Sequence, residues 1–382
     1  MNLFIIAAVV GTGTLLNISG EAQLFWVAAA VLSSGVAQLA MQWGPLRRAG
    51  VQIRPAWEVQ SEAFKKILIL MGPMILGLTA TQINTLADDL IAWWLSGSED
   101  KGQFFEFLGR QIRYPMWRGS VSYLYYAQRL YQLPLGIFGI SLATAIFPVM
   151  SAEAAKKDFA ALCKTVSRSL RATVFVAAPA TIGLILVARP FISAFFQHGE
   201  FTADDAAMVV KALAFYSLGL CGYFAQQILG RAFYSLQDSK TPMKSALMAV
   251  GANVVLNLTL IWFLDTAGLA CATAICSYLQ VVVLVAVLRR RLGGGIFEAL
   301  GKTTLKTAVA TVVMAAVGAG VLMLCSSLPV RGRYDLLRLA VTVPAAAAAY
   351  WIAARWLDME TLSMVTGIRS RRAGQPPVNE DS

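Results

Sequence analysis

An otherwise apolar chain of 382 residues carries two sets of side chains able to do chemistry. The first centres on Arg129, the single charge in VSYLYYAQRLYQLPLGIFGISLATAIFPVMS (121–151), with Tyr125, Tyr126 and Tyr131 around it. Inside a bilayer-length helix an arginine costs ~3 kcal/mol or more unless it faces water, a partner or a substrate. Snorkelling to the interface is the bland alternative, because Arg129 lies near the start of the segment. Pro134 removes a backbone hydrogen bond and predicts a kink just beyond the charge. The second set is TQINTLADDL (81–90), GANVVLNL (251–258) and GLACAT (268–273). Asn253 and Asn257 are four residues apart, on one helix face. Asp88 sits well inside its apolar stretch. A carboxylate with amide, hydroxyl and carbonyl oxygens can hold a hard cation. The same residue types also serve as interhelical hydrogen-bonding groups, so the pattern carries both readings.

The elements that must position these groups are membrane spans. The chain is 57% hydrophobic and 14% charged, against about 25% charged in an ordinary soluble domain, and its mean hydropathy is +0.63. The expected fold class is an all-α integral membrane protein, since a lipid-facing backbone must satisfy its own hydrogen bonds. Ten spans are expected, near 3–18, 22–43, 67–95, 121–150, 170–196, 206–230, 243–264, 268–288, 303–325 and 337–357. The net charge of +11 belongs to the ends of these spans and implies no nucleic-acid partner. Five cysteines with no CxxC pair and a single histidine, His198, give neither a disulfide framework nor a zinc site. No nucleophile–base arrangement is evident, so the chain does not read as an enzyme. Met1 opens directly into an apolar run, and the first basic residue is Arg47, so no secretory signal is read there.

Lys and Arg set the orientation. Twenty-two fall on one set of loops and ends and seven on the other, which places both termini in the cytoplasm. Residues 44–66 read as a cytoplasmic linker whose WEVQSEAFKK part suits an amphipathic helix. Residues 96–120 read as an external insertion, with FFEFLG and YPMW favouring an interfacial helix. Residues 367–382 read as a disordered cytoplasmic tail.

Two turns complete the pattern. In FYSLQDSKTP (233–242), Asp238 and Ser239 can cap a helix whose first turn holds Pro242. In ARPFISAFFQHGEFTADDA (188–206), Thr202 can cap a helix with Asp204 and Asp205 in its first turn. Taken with YYAQRLYQLPLGIFGISLATAIFP, in this order and spacing, they make the chain resemble the MurJ/MviN lipid II flippases of the multidrug/oligosaccharidyl-lipid/polysaccharide exporter superfamily. The resemblance runs from about residue 1 to 360.

That resemblance implies a fold of fourteen helices, with two six-helix lobes followed by two helices that form a lipid groove. Residues 1–43 resemble the last two helices of a first lobe, 67–291 a complete second lobe, and 292–366 the last pair. The first four helices, with the family's N-terminal cavity arginines, have no counterpart here. Arg129 matches the cavity arginine of the eighth helix and becomes the expected substrate-binding residue. Some family members bind sodium between three helices. The matching positions are Asp88, Asn253, Asn257, the Leu269 carbonyl and Thr273, with Asn257 standing where such members are acidic. No cofactor other than a sodium ion is implied. The implied function is movement of an undecaprenyl-pyrophosphate-linked peptidoglycan precursor from the inner to the outer leaflet of the bacterial inner membrane. Membrane lipids and a separate chain supplying the missing helices are the further partners implied. The competing readings are a non-transporting scaffold, a subunit of a split flippase, and a flippase for another polyprenyl-linked glycan.

Overall fold

The computed structural model describes residues 2–15, 20–48, 50, 61–107, 109–293, 295, 299–325, 332–359 and 361–362. The WEVQSEAFKK segment up to residue 60 and the tail 367–382 lie outside them. Contacts divide the chain into two compact units, 1–65 and 66–382. In the first, α1 (Asn2–Val10) runs into a π-helical segment, Gly11–Leu15, and packs against α2 (Gly20–Arg48). Gln23 ties the two by donating to the Val9 carbonyl at 3.1 Å. The expected linker is shortened at both ends, because α2 continues to Arg48 and α3 (Glu62–Trp94) starts at residue 62.

The second unit holds the remaining helices: α4 (Ser120–Pro134), α5 (Ser141–Ala155), α6 (Phe159–Phe196), α7 (Ala203–Leu218), α8 (Leu220–Ser235), α9 (Lys240–Leu264), α10 (Thr266–Leu292), α11 (Leu300–Leu324) and α12 (Gly332–Trp356). Among the described residues, seven helical stretches are long and apolar enough to cross a membrane, or eight with the bent pair α7–α8. The expected count of ten is therefore not reached on this criterion, and α3, expected as the span 67–95, is not among the qualifying stretches. The apolar stretch of α1, Leu3–Gly13, is too short. The expected single span 206–230 is two helices meeting at 43°. The break is at Gly219, where a Cβ would stand 2.6 Å from the Tyr223 ring.

At Pro134 the regular α-helix gives way to a wider one. The segment after it, Leu135–Ile140, is π-helical, and α5 continues from there, so α4, the π segment and α5 form one 36-residue span. A proline lacks the N–H that the α ladder needs, and widening the next turn accommodates the loss. Residues 96–117 correct another expectation. They form no interfacial helix but two small β pairs. β2 (Phe104–Phe107) and β3 (Arg110–Arg113) make an antiparallel hairpin in the register Phe104↔Arg113 and Phe107↔Arg110. Gly109, just before β3, has a positive φ of 74°, which glycine adopts without strain. β1 (Ser96–Gly97) and β4 (Met116–Trp117) close the insertion at its base.

Two features hold the helices that carry the second chemical set. α9 and α10 form a tight antiparallel pair. A Cβ on Gly268 would lie 2.7 Å from the Leu260 carbonyl group, so only glycine lets α10 start this close to α9. On α3, Gly77 faces the backbone of Met243 at the start of α9, where a Cβ would make contact at 3.4 Å. The core between helices is built from two main groups. One gathers Leu124, Ile192, Tyr216, Ile261 and Leu269; the other gathers Met150, Leu162, Leu229, Phe233 and Leu288. Large apolar side chains such as Trp94, Val255 and Phe263 stay exposed on the outside, as a lipid-facing surface requires.

Candidate functional site: a buried carboxylate–amide cluster

Asp88 on α3 is 1% exposed, and Asn253 and Asn257 on α9 are fully buried. The Asn257 amide donates to Asp88 Oδ1 at 2.6 Å and to Asn253 Oδ1 at 2.8 Å. Thr273 on α10 donates to Asp88 Oδ2 at 3.2 Å, and Asn253 reaches Thr273 Oγ1 at 3.1 Å. Four of the five residues marked in the sequence therefore converge through their side chains. Leu269, the fifth, is fully buried one turn before Thr273. Asn84 joins them, donating to Asp88 Oδ2, the oxygen that Thr273 also reaches, at 3.3 Å. Its four-residue spacing from Asp88 was the available signal, and it was overlooked among the polar residues of TQINTLADDL.

Rotating the amides does not relieve every contact in this cluster. With Asn253 Oδ1 accepting from Asn257, that oxygen stands 2.9 Å from Asp88 Oδ1 and 3.1 Å from Asn84 Oδ1. Turning the Asn253 amide makes its nitrogen a donor to both and its oxygen an acceptor from Thr273, but sets two amide nitrogens 2.8 Å apart. Turning Asn257 as well places its oxygen 2.6 Å from the carboxylate. Every combination leaves like atoms facing, and in the first Asn257 Oδ1 is a buried oxygen with no partner. One added positive charge removes the conflict, either a cation held among the oxygens or a proton on Asp88. The donor set is all oxygen once the amides turn inward, with a single carboxylate, and it fits a hard monovalent cation. Among the described residues no three His, Cys, Asp or Glu side chains gather as a transition-metal or multi-carboxylate site would need.

Arg129 is not part of this cluster. It is exposed on α4, with its guanidinium 4.8 Å from the centre of the Tyr125 ring and Nη1 3.4 Å from Gln132 Oε1. Gln132 also lines a cavity of about 470 Å³ that reaches Asn84, Asn253 and Thr273. Behind Arg129, Tyr131 packs between Tyr216 of α7 and Tyr223 of α8, with ring centres 5.0 and 5.1 Å away. Gln128 donates to the Tyr216 hydroxyl.

The turns behave as their chemistry suggested. Thr202 and Asp205 form a reciprocal capping box on α7, and Tyr123 of α4 donates to the Asp205 carboxylate. At the α8–α9 turn Asp238, not Ser239, does the capping. It accepts from the Thr241 backbone at 3.0 Å and hydroxyl at 2.6 Å, and pairs with Arg291 at 2.7 Å. A buried ion pair, Asp335 with Arg338 at 2.8 Å, escaped the sequence reading. Ser193 of α6 donates to the same carboxylate at 2.7 Å, and Tyr350 donates to the Phe175 carbonyl at 2.6 Å, so α12 is fastened to α6 at two points.

A bundle of apolar helices, several long enough to cross a membrane, with a carboxylate buried among amides and an arginine on an open face, defines an all-α integral membrane protein. The family model described as lipid II flippase MurJ matches residues 2–335, and the chain belongs to that family. It is 33% identical over 258 residues to the probable lipid II flippase MurJ of Vibrio cholerae serotype O1, covering 68% of this chain and 45% of that protein. The corresponding protein of Rhizobium meliloti is 30% identical over 357 residues, covering 92% of this chain and 62% of that one. A solved structure of lipid II flippase MurJ in an inward closed conformation shares the fold, with a TM-score of 0.63 at 22% identity, over 94% of this chain and 66% of that one. The chain spans about half the length of the curated relatives it matches.

Proposed function

We propose that this chain serves the movement of lipid II, an undecaprenyl-pyrophosphate-linked peptidoglycan precursor, from the inner to the outer leaflet of the bacterial inner membrane. The supporting observation, beyond family membership, is the exposed guanidinium of Arg129 on a helix that also contributes Gln132 to the intramembrane cavity. A guanidinium can pair bidentately with pyrophosphate oxygens, and its permanent charge needs no proton step. Binding and release by alternating access break no bond. In this reading Asp88, Asn84, Asn253, Asn257 and Thr273 hold a sodium ion, which would supply the positive charge that the cluster lacks. Both termini lie in the cytoplasm, on the side richer in Lys and Arg.

The test of the substrate reading is lipid II binding by the purified chain. Arg129→Ala should weaken it about tenfold, the loss of one charge-assisted hydrogen-bonded pair of ~1.5 kcal/mol. Arg129→Lys should recover part of that loss. Equal binding by wild type and Arg129→Ala would remove Arg129 from the substrate site. Rescue of flippase-depleted cells, by this chain alone or with a companion supplying further helices, then tests transport itself.

A further inference from the structure

The cavity beside the carboxylate cluster is rich in amide side chains, which lipid packing does not call for. Five glutamines line it: Gln82 of α3, Gln132 of α4, Gln226 and Gln227 of α8, and Gln280 of α10. None of its lining residues is charged. Three of them, Asn84, Asn253 and Thr273, are also members of the cluster, so the cavity opens directly onto Asp88's partners. We propose that this cavity is a hydrated vestibule through which a monovalent cation reaches Asp88, its glutamine carbonyls replacing water around the ion as it passes. This rests on the reading of the cluster as a cation site.

Three observations support it. The cavity has room for water and partners to hold it: about 470 Å³ takes several molecules at ~30 Å³ each, and its lining carries amide and hydroxyl groups. Gln226 is also held in place. Gln226 Nε2 donates to the Ser277 carbonyl at 3.1 Å and to Gln280 Oε1 at 2.9 Å, which commits its nitrogen to the wall and leaves its oxygen as the group available to a ligand. Finally, neutral dipoles suit passage. A carboxylate lining would trap the ion and a lysine would repel it, whereas amide oxygens bind it strongly enough to strip water yet release it onward. The one full negative charge lies at the inner end.

Cysteine accessibility in detergent tests this. In a variant with the five native cysteines replaced by alanine, Thr85→Cys and Gln227→Cys place thiols on two walls, and Asp100→Cys serves as an exposed control. A trimethylammonium methanethiosulfonate, itself a cation, should modify both cavity positions within about tenfold of the control rate, because access sets thiol reactivity when the chemistry is held constant. Saturating sodium should slow both severalfold while choline does not. Labelling of both positions by neutral N-ethylmaleimide but not by the cation would show a dry cavity and overturn the vestibule. Rapid labelling indifferent to sodium would also overturn it if sodium still raises the melting temperature, since the ion then arrives by another route. If sodium changes neither labelling nor melting, the cation reading of Asp88 itself falls.

Discussion

Asp88 and Asn257 are 169 residues apart in sequence and 2.6 Å apart in space. That contact brings α3 against the α9–α10 pair and makes the buried carboxylate the point where three helices meet. If a cation completes the cluster, sodium should raise the melting temperature of the purified protein, and Asp88→Asn should remove the response. The asparagine keeps the shape of the side chain and deletes its charge. A comparable rise with potassium and choline would reduce the effect to ionic strength.

Asn257 sets a neutral amide against Asp88, so a carboxylate there would give the cluster a second negative charge facing a bound cation. Asn257→Asp should therefore strengthen sodium affinity, by about tenfold for a stabilisation of ~1.4 kcal/mol. Sodium titration followed by melting temperature reads this directly. Unchanged or weaker affinity would place the ion away from this oxygen.

Topology makes a separate prediction. Residue 100 in the β insertion should be labelled from outside intact cells and residue 157, in the turn before α6, should not. Asp100→Cys and Lys157→Cys in a cysteine-free chain, treated with an impermeant maleimide, decide the matter. The reverse pattern would invert the map.

Asp238 gives a pH dependence at the α8–α9 turn, outside the spans. Burial alone would raise its carboxyl, but hydrogen bonds from the Thr241 side chain and backbone and the Arg291 charge outweigh it and hold the carboxyl below its ordinary range. A group whose folded value is depressed stabilises the protein above its unfolded value of ~4 and loses that contribution as pH falls through the folded value. Arg291 is about half exposed, so the ion pair adds little, and asparagine keeps an oxygen to accept the Thr241 backbone bond, so Asp238→Asn should lose only the charge-dependent part, about 0.5 kcal/mol at pH 7. The melting-temperature gap between wild type and variant should narrow below about pH 4. A gap independent of pH would mean that the charge contributes nothing.

Much of this arrangement could be read before any coordinates. Hydropathy marks membrane helices because the bilayer imposes length and composition on each span separately. The Asp88 cluster was legible for a related reason: a polar residue deep in such a span needs a partner, and few were available. The cavity was not legible. Its five glutamines come from four helices, and nothing in their spacing announces that they face one another. The hairpin was missed because FFEFLG offers aromatic residues that suit either an interfacial helix or a strand, and Gly109's positive φ decides between them. The break at Gly219 was missed because the sequence around it stays continuously apolar, as one span would.

The π-helical turn after Pro134 has a geometric consequence. A wide turn holds one residue more than an α turn, so everything C-terminal to Ile140 is rotated relative to an unbroken helix. Since each α residue subtends roughly 100°, removing one residue between 135 and 140 would swing α5's inward face, with Ala143 and Met150, away from the core that α6, α8 and α10 build. The half of the span bearing Arg129 would stay where it is. The proline thus works as a phase adjuster, letting one helix show its arginine in one direction and its packing surface in another.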